Sequence, residues 1–144
     1  MTALDPAQHD PGGKLIRLTP SMFDMVREFH RAFGVPAPDA PCLPSRVILD
    51  LRSNLIFEEL GEYETAVVTG DVTAVADALA DLAYVVIGTA VAHGLTQFDA
   101  IFAEVHRSNM SKLGADGKPI HRSDGKVLKG PNFTSPNLAP LLKP

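Results

Sequence analysis

Between Val72 and Ala92 the chain runs through Ala, Leu, Val, Ile, Gly, Thr and Tyr and carries only two charges, Asp77 and Asp81. No Pro interrupts the run, Asp71 stands ready to cap its start, and Gly94 supplies a left-handed stop just after His93. Such a segment is a helix that needs covering by other elements. Asp77 and Asp81 are four residues apart and share one face, and Asp81 falls within the stripe Ala74, Ala78, Val85, Ala92. A carboxylate held in an apolar seam costs several kcal/mol unless it is paired or binds a cation. Any fold this chain adopts has to answer for those two acids.

The preceding segment, from about Ser45 to Val68 and closed by Gly70, poses the same problem. Ile48, Leu51 and Leu55 mark a core-facing stripe at helical spacing. Continued by three, four and seven residues, that stripe meets Glu58, Glu59 and Glu62. A second stripe, Ile56, Leu60, Tyr63, Val67, keeps the helix packed on another side, so the acids are expected to be more than a solvated face. Solvation is the better account of Glu64. Arg52, nearly two turns before Glu58, is the closest basic residue on either helix.

The remaining chain reads as all-α with about four main helices. Residues 1–18 look like a flexible lead-in to a single domain over 19–144. Thr19 is expected as N-cap of helix one with Pro20 at its first position, a stripe of Met22, Val26, Phe29 and Phe33, and an end at Gly34 and Pro36. Thr96 with Asp99 has capping-box spacing for helix four, whose apolar face is Phe98, Ile101, Phe102, Val105. Beyond Leu113, Asp116-Gly117 and Asp124-Gly125 are turn dipeptides beside short extended runs, which predicts a C-terminal hairpin and an extended tail over 114–144.

Charge divides the chain. Residues 1–105 hold 6 Lys/Arg against 15 Asp/Glu, and residues 106–144 hold 7 against 2. The acidic body argues against a nucleic-acid partner, whose affinity rests on phosphate neutralisation. No apolar stretch is long and unbroken enough to suggest a membrane span, and no export signal is apparent. Cys42, the only cysteine, lies in a Pro-rich loop, which leaves no disulfide or thiolate zinc site, and a reducing cytoplasm is the expected home. His30, His106 and His121 are scattered and expect packing or surface roles. Oxygen-only ligands select hard cations, so Mg²⁺ or Mn²⁺ is the expected compensation for Glu58, Glu59, Glu62, Asp77 and Asp81. Asn109 and Lys112 extend helix four's face into a polar patch, and Lys118, Arg122, Lys126 and Lys129 follow it, a set suited to a polyphosphate. An iron-storage bundle is disfavoured because no Glu-x-x-His pair is present.

Glu59-Leu-Gly-Glu62, preceded by Glu58, resembles the first half of the Glu-x-x-Glu…Glu-x-x-Asp signature of the MazG-like all-α nucleoside triphosphate pyrophosphohydrolases, including the branch akin to phosphoribosyl-ATP pyrophosphohydrolase. In the second half Asp81 matches, while Ala78 stands where the general motif has Glu and Asp77 lies one position earlier. The run Ala76 to Ala90 and the tail from His106 to Asn132 are similar to a sub-branch with bacterial dUTP-hydrolysing and phage dGTP/GTP-hydrolysing members. The resemblance, over about Val26 to Leu138, implies hydrolysis of a nucleoside triphosphate to the monophosphate and pyrophosphate, with two or three Mg²⁺ or Mn²⁺ ions per site. It implies Glu59, Glu62 and Asp81 as direct ligands, Asp77 as a longer-reaching one, and Glu58 or Glu59 as general base. Asn109, Lys112, Lys126 and Lys129 would clamp phosphates, in homodimers or tetramers whose tails complete a neighbour's site. The setting implied is a bacterial cytoplasm, or the host's if phage-encoded. A base pocket is expected between helix one and the bundle, with Phe29, His30 and Asn54 as candidates by position. The alternative is a non-catalytic metal- or nucleotide-binding module, with Ala78 as the mark of lost catalysis.

Overall fold

A computed structural model describes residues 20–143. Four helices follow in order: α1 (Met22–Ala32), α2 (Arg46–Thr69), α3 (Val72–Ala92) and α4 (Phe98–Met110), with a 3₁₀ turn at Ala139–Leu142. The all-α class expected from the sequence holds. The expected lead-in, 1–18, and the expected cap Thr19 lie outside the described residues.

Helix α1 starts later than its sequence suggests. Ser21 is the N-cap, its hydroxyl accepting from the Asp24 amide while the Asp24 carboxylate accepts from the Ser21 amide. This reciprocal box satisfies donors that a Pro at the first position would have left to Thr19. The helix is also rotated from the expected face. Phe23, Val26 and His30 are buried, whereas Met22 and Phe33 are exposed and Phe29 is partly so. Val26 alone belongs to both stripes.

Helices α2 and α3 form the long antiparallel hairpin that the rest leans on. Gly70 adopts φ 70° and ends α2, and the Asp71 side chain accepts from the Thr73 amide to begin α3. Two bonds fix their pairing: Arg52 donates through Nη2 to the Val85 carbonyl at 2.6 Å and through Nε to Thr89 Oγ1 at 3.2 Å. Small buried residues, Ala66 on α2 and Ala78 on α3, let the two backbones approach. Helix α1 lies on the second half of α3, where Phe23 and Val26 pack with Ile87, Ala90 and Val91. At the crossing, Gly88 is required. A Cβ there would stand 2.5 Å from Arg52 Nη2 and 2.9 Å from His30 Nε2. Among the described residues α3 is the only helix long and apolar enough to cross a bilayer, but it carries Asp77 and Asp81 and packs against two partners, as a core helix does.

The Pro-rich loop folds back onto the end of α3. Cys42 donates its amide to the His93 carbonyl at 2.9 Å, and Gly94, at φ 67°, has no room for a Cβ against the Ala40 carbonyl. This turn also relocates the start of α4. The Thr96 amide bonds the Gly94 carbonyl, so Thr96 is consumed in the turn and Gln97 takes the cap position without a side-chain bond. Helix α4 joins the core near its start, through buried Ile101 and through Phe98, whose ring centroid lies 6.1 Å from that of Phe23; Phe102, expected on the same face, is exposed.

The tail forms the small hairpin expected at Asp124-Gly125, with His121 bridging Val127 and the Leu128 amide bonding the Ile120 carbonyl at 2.7 Å. It then returns along α4. Glu104 accepts from Arg107 Nε and from the Asn137 amide, both at 2.8 Å, while Arg107 donates to Thr134 Oγ1 and Ser108 to the Thr134 carbonyl. The Arg107 hydrogen bond, helped by the Asn137 amide, holds the Glu104 carboxyl down at about 2. Its contribution to docking is therefore whole above the ordinary value of 4.5 and is lost as pH falls toward about 2. Limited proteolysis should cut the last residues readily in acid but not at neutral pH, and Glu104→Gln should show the acid pattern at pH 7.

Candidate active site

The five acids singled out by the sequence are brought together along one end of the α2–α3 hairpin. Glu58 and Glu62 from α2 and Asp77 from α3 line an open groove of about 610 Å³, with Gly61, Thr65 and buried Ala78 among its other walls. Glu59 lies beside it, close enough to feel Glu62, Asp81, Glu58 and Asp77. The i, i+3 and i, i+4 spacings place Glu58, Glu59 and Glu62 on one side of α2. Asp77 and Asp81 lie four apart on α3, so antiparallel pairing sets the two acid rows against each other.

The expectation that these acids are buried needs correcting. Glu58, Glu62, Asp77 and Asp81 are exposed, and only Glu59 is partly covered. The helical pattern gave the face correctly, but a groove between two helices stays open to water when nothing lies over it. The electrostatic cost is smaller than burial would impose and falls mainly on Glu59. Partial desolvation, followed by the charges of Glu62, Asp81, Glu58 and Asp77, raises its carboxyl above the usual glutamate value. None of the five acids has a basic partner among the described residues.

Arg52, the nearest cation in sequence, is not spent on them. It is buried and directed to α3 backbone and hydroxyl oxygens, and desolvation lowers its pKa from the usual arginine value. Beside it, burial and to a lesser degree the Arg52 charge lower the pKa of His30 from the usual histidine value, against the opposing bond to Pro36. A carbonyl only accepts, so Nδ1, 2.9 Å from the Pro36 oxygen, carries the ring proton. His30 therefore packs the α1 crossing and does not open into a base pocket. The pattern of apolar residues passed over both Arg52 and His30, since each occupies a core-facing position with a polar side chain.

The donor set suits a hard cation: carboxylate oxygens only, in a groove wide enough for a hydrated ion and a phosphate chain. Among the described residues no three candidate ligands are already gathered around one point, so a cation would draw the side chains inward.

The basic residues of the tail are not brought to this groove. Lys112 donates to Asn109 Oδ1 at 2.7 Å, Arg122 pairs with Asp124, and the Lys129 ammonium sits 4.3 Å over the Phe133 ring. None of Asn109, Lys112, Lys118, Arg122, Lys126 or Lys129 contacts an acid of the groove within this chain.

The profile of the phosphoribosyl-ATP pyrophosphohydrolase family matches residues 26–109. The match runs from the second turn of α1 to the last turn of α4, includes all five acids and covers more than half of the chain. The chain belongs to this family, whose fold is that of the MazG-like all-α pyrophosphohydrolases. With the family comes its general activity, hydrolysis of an acid anhydride in a nucleotide. Comparison with curated proteins finds no match.

Mutual repulsion in the groove has a measurable consequence. Removing one charge, by Glu59→Gln, should raise the melting temperature of the protein in EDTA at pH 7, because the folded state then holds one fewer of five crowded carboxylates. A lower melting temperature than wild type would contradict the repulsion.

Proposed function

We propose that the protein hydrolyses a nucleoside or deoxynucleoside triphosphate between Pα and Pβ, giving the monophosphate and pyrophosphate, with Mg²⁺ or Mn²⁺ held in the α2–α3 groove. The observation that carries this reading is the set of five carboxylates, without a basic partner among the described residues, lying inside the span matched to a pyrophosphohydrolase family. Glu59, Glu62 and Asp81 are the proposed ligands, and Asp77 reaches the same ions from farther along α3. Bound there, the cations would offset the triphosphate's charge and lower the pKa of the attacking water. Glu58, on the groove wall, takes the proton from that water as it adds to Pα, and pyrophosphate departs. Cytoplasmic nucleotide-pool control is the corresponding biological setting.

The exposed apolar surface supports a homodimer or a tetramer. Leu51, Phe57, Leu60 and Val67 on α2 and Leu79 and Val86 on α3 are all exposed, whereas only nine apolar residues of the described chain are buried. Exposed apolar side chains in this number favour burial in an interface, and a second copy related by a two-fold axis is the simplest partner. In that arrangement a neighbour's Asn109, Lys112, Lys118, Arg122, Lys126 and Lys129 supply the cationic side of the site that this chain's own tail does not. Opposite charge on tail and groove favours the exchange.

Pyrophosphate release from dGTP, GTP, dUTP, the other triphosphates and phosphoribosyl-ATP, with Mg²⁺, with Mn²⁺ and with EDTA, tests the proposal. Release is expected only with the cation, and Glu62→Gln should lower kcat by about a hundredfold or more, the scale seen when a group that stabilises transition-state charge is lost. Absence of release from every substrate would leave a module that binds without catalysis.

A further inference from the structure

Three aromatic rings stand on the surface where α1 crosses α3. Phe29 and Phe33, one turn apart, are stacked with centroids 4.4 Å apart and planes 29° apart, and Tyr84 meets Phe29 edge-on at 5.8 Å and 85°. All three are exposed, Phe33 at 70%, Phe29 at 40% and Tyr84 at 38%. Rings of this size seldom cluster at a surface unless something covers them. Tyr84 lies three residues beyond Asp81 on α3, so it shares the helix face of that acid, one turn away. Three residues are about 4.5 Å of helical rise, the scale of a ribose set between a phosphate at Asp81 and a base at the rings.

Three of the polar groups around this crossing are committed elsewhere. His30 uses Nδ1–H on Pro36, Arg52 donates to Val85 and Thr89, and Arg31 pairs with Asp39. The cluster itself offers two phenyl faces and one phenol. Stacking on such faces tolerates any base, since every base has a π-face, and it strengthens with the area stacked. Resting on the triphosphate reading above, we infer that Phe29, Phe33 and Tyr84 form the base platform of the nucleotide site and that the protein sorts its substrates by ring size. Purine nucleotides bind more tightly than pyrimidine nucleotides, and adenine and guanine are distinguished little. This assigns the site to purine triphosphates, with dGTP and GTP ahead of dUTP.

Ligand-observed NMR titration of the whole protein in EDTA with deoxyguanosine, deoxyadenosine and deoxyuridine tests the platform without phosphate, cation or turnover. Its failure is therefore separable from failure of the hydrolase reading. The two purine nucleosides should bind with similar affinity, about fivefold or more tighter than deoxyuridine. Phe33→Ala should weaken them by about fivefold to a hundredfold. Phe33 is exposed and follows the last turn of α1, so circular dichroism should show an unchanged fold, and Tyr84→Leu provides a second, independent loss. Equal binding of purine and pyrimidine nucleosides would overturn the inference, as would wild-type affinity in both variants. Conversion of a dimer to a monomer by Phe33→Ala, seen by sedimentation, would overturn it as well, because the rings would then belong to an interface between copies.

Discussion

The pairing of α2 with α3 is fixed by one buried guanidinium. Arg52 has no carboxylate partner among the described residues; it bridges from α2 to the Val85 carbonyl and the Thr89 hydroxyl, and Gly88 leaves the space it occupies. A buried cation is costly unless its donors are satisfied, so the alternative pairings that would strand Arg52 against apolar side chains are disfavoured. The register it selects brings Glu58 and Glu62 to one groove with Asp77 and Ala78, and Glu59 within reach of the Asp81 charge. Seven residues separate Arg52 from Glu59, two helical turns along the same seam. One end of the hairpin is thus tied by hydrogen bonds, and the other carries acids that repel one another.

That division of labour suits a site whose occupant is highly charged. The acids can sit together without basic partners because Ala66, Ala78 and the Arg52 bridge hold the helices independently of them. Glu58, Glu62 and Asp77 line an open groove, Asp81 is exposed, and Glu59 is partly covered. Under the function proposed here, the ordering of those side chains is left to cations and substrate, and the tail, strapped to α4 through Glu104 and Arg107, is free to present its lysines to another copy.

Helix identity was legible where local chemistry punctuates the chain. Gly70 after the second helix, Asp71 before the third and the Asp-Gly turn of the tail each act within a few residues and stand where the sequence placed them. Helix faces were less legible. Helix α1 carries two overlapping apolar stripes, and the one buried includes His30, which a count of apolar residues treats as surface. The acidic face was readable from spacing alone, whereas its exposure was not, because exposure depends on what covers the groove and not on the helix that bears it. The Glu104–Arg107 strap was hidden for a similar reason: its partners, Thr134 and Asn137, lie in a segment without periodicity.

The central claim is that the α2–α3 groove is a divalent-cation site for a triphosphate. Electron paramagnetic resonance of Mn²⁺ bound to the protein with a non-hydrolysable triphosphate analogue addresses it most directly. The account predicts about two or more tightly held ions per chain, lost in Glu62→Gln and in Asp81→Asn. At most one weakly held ion, unchanged by either substitution, would contradict it.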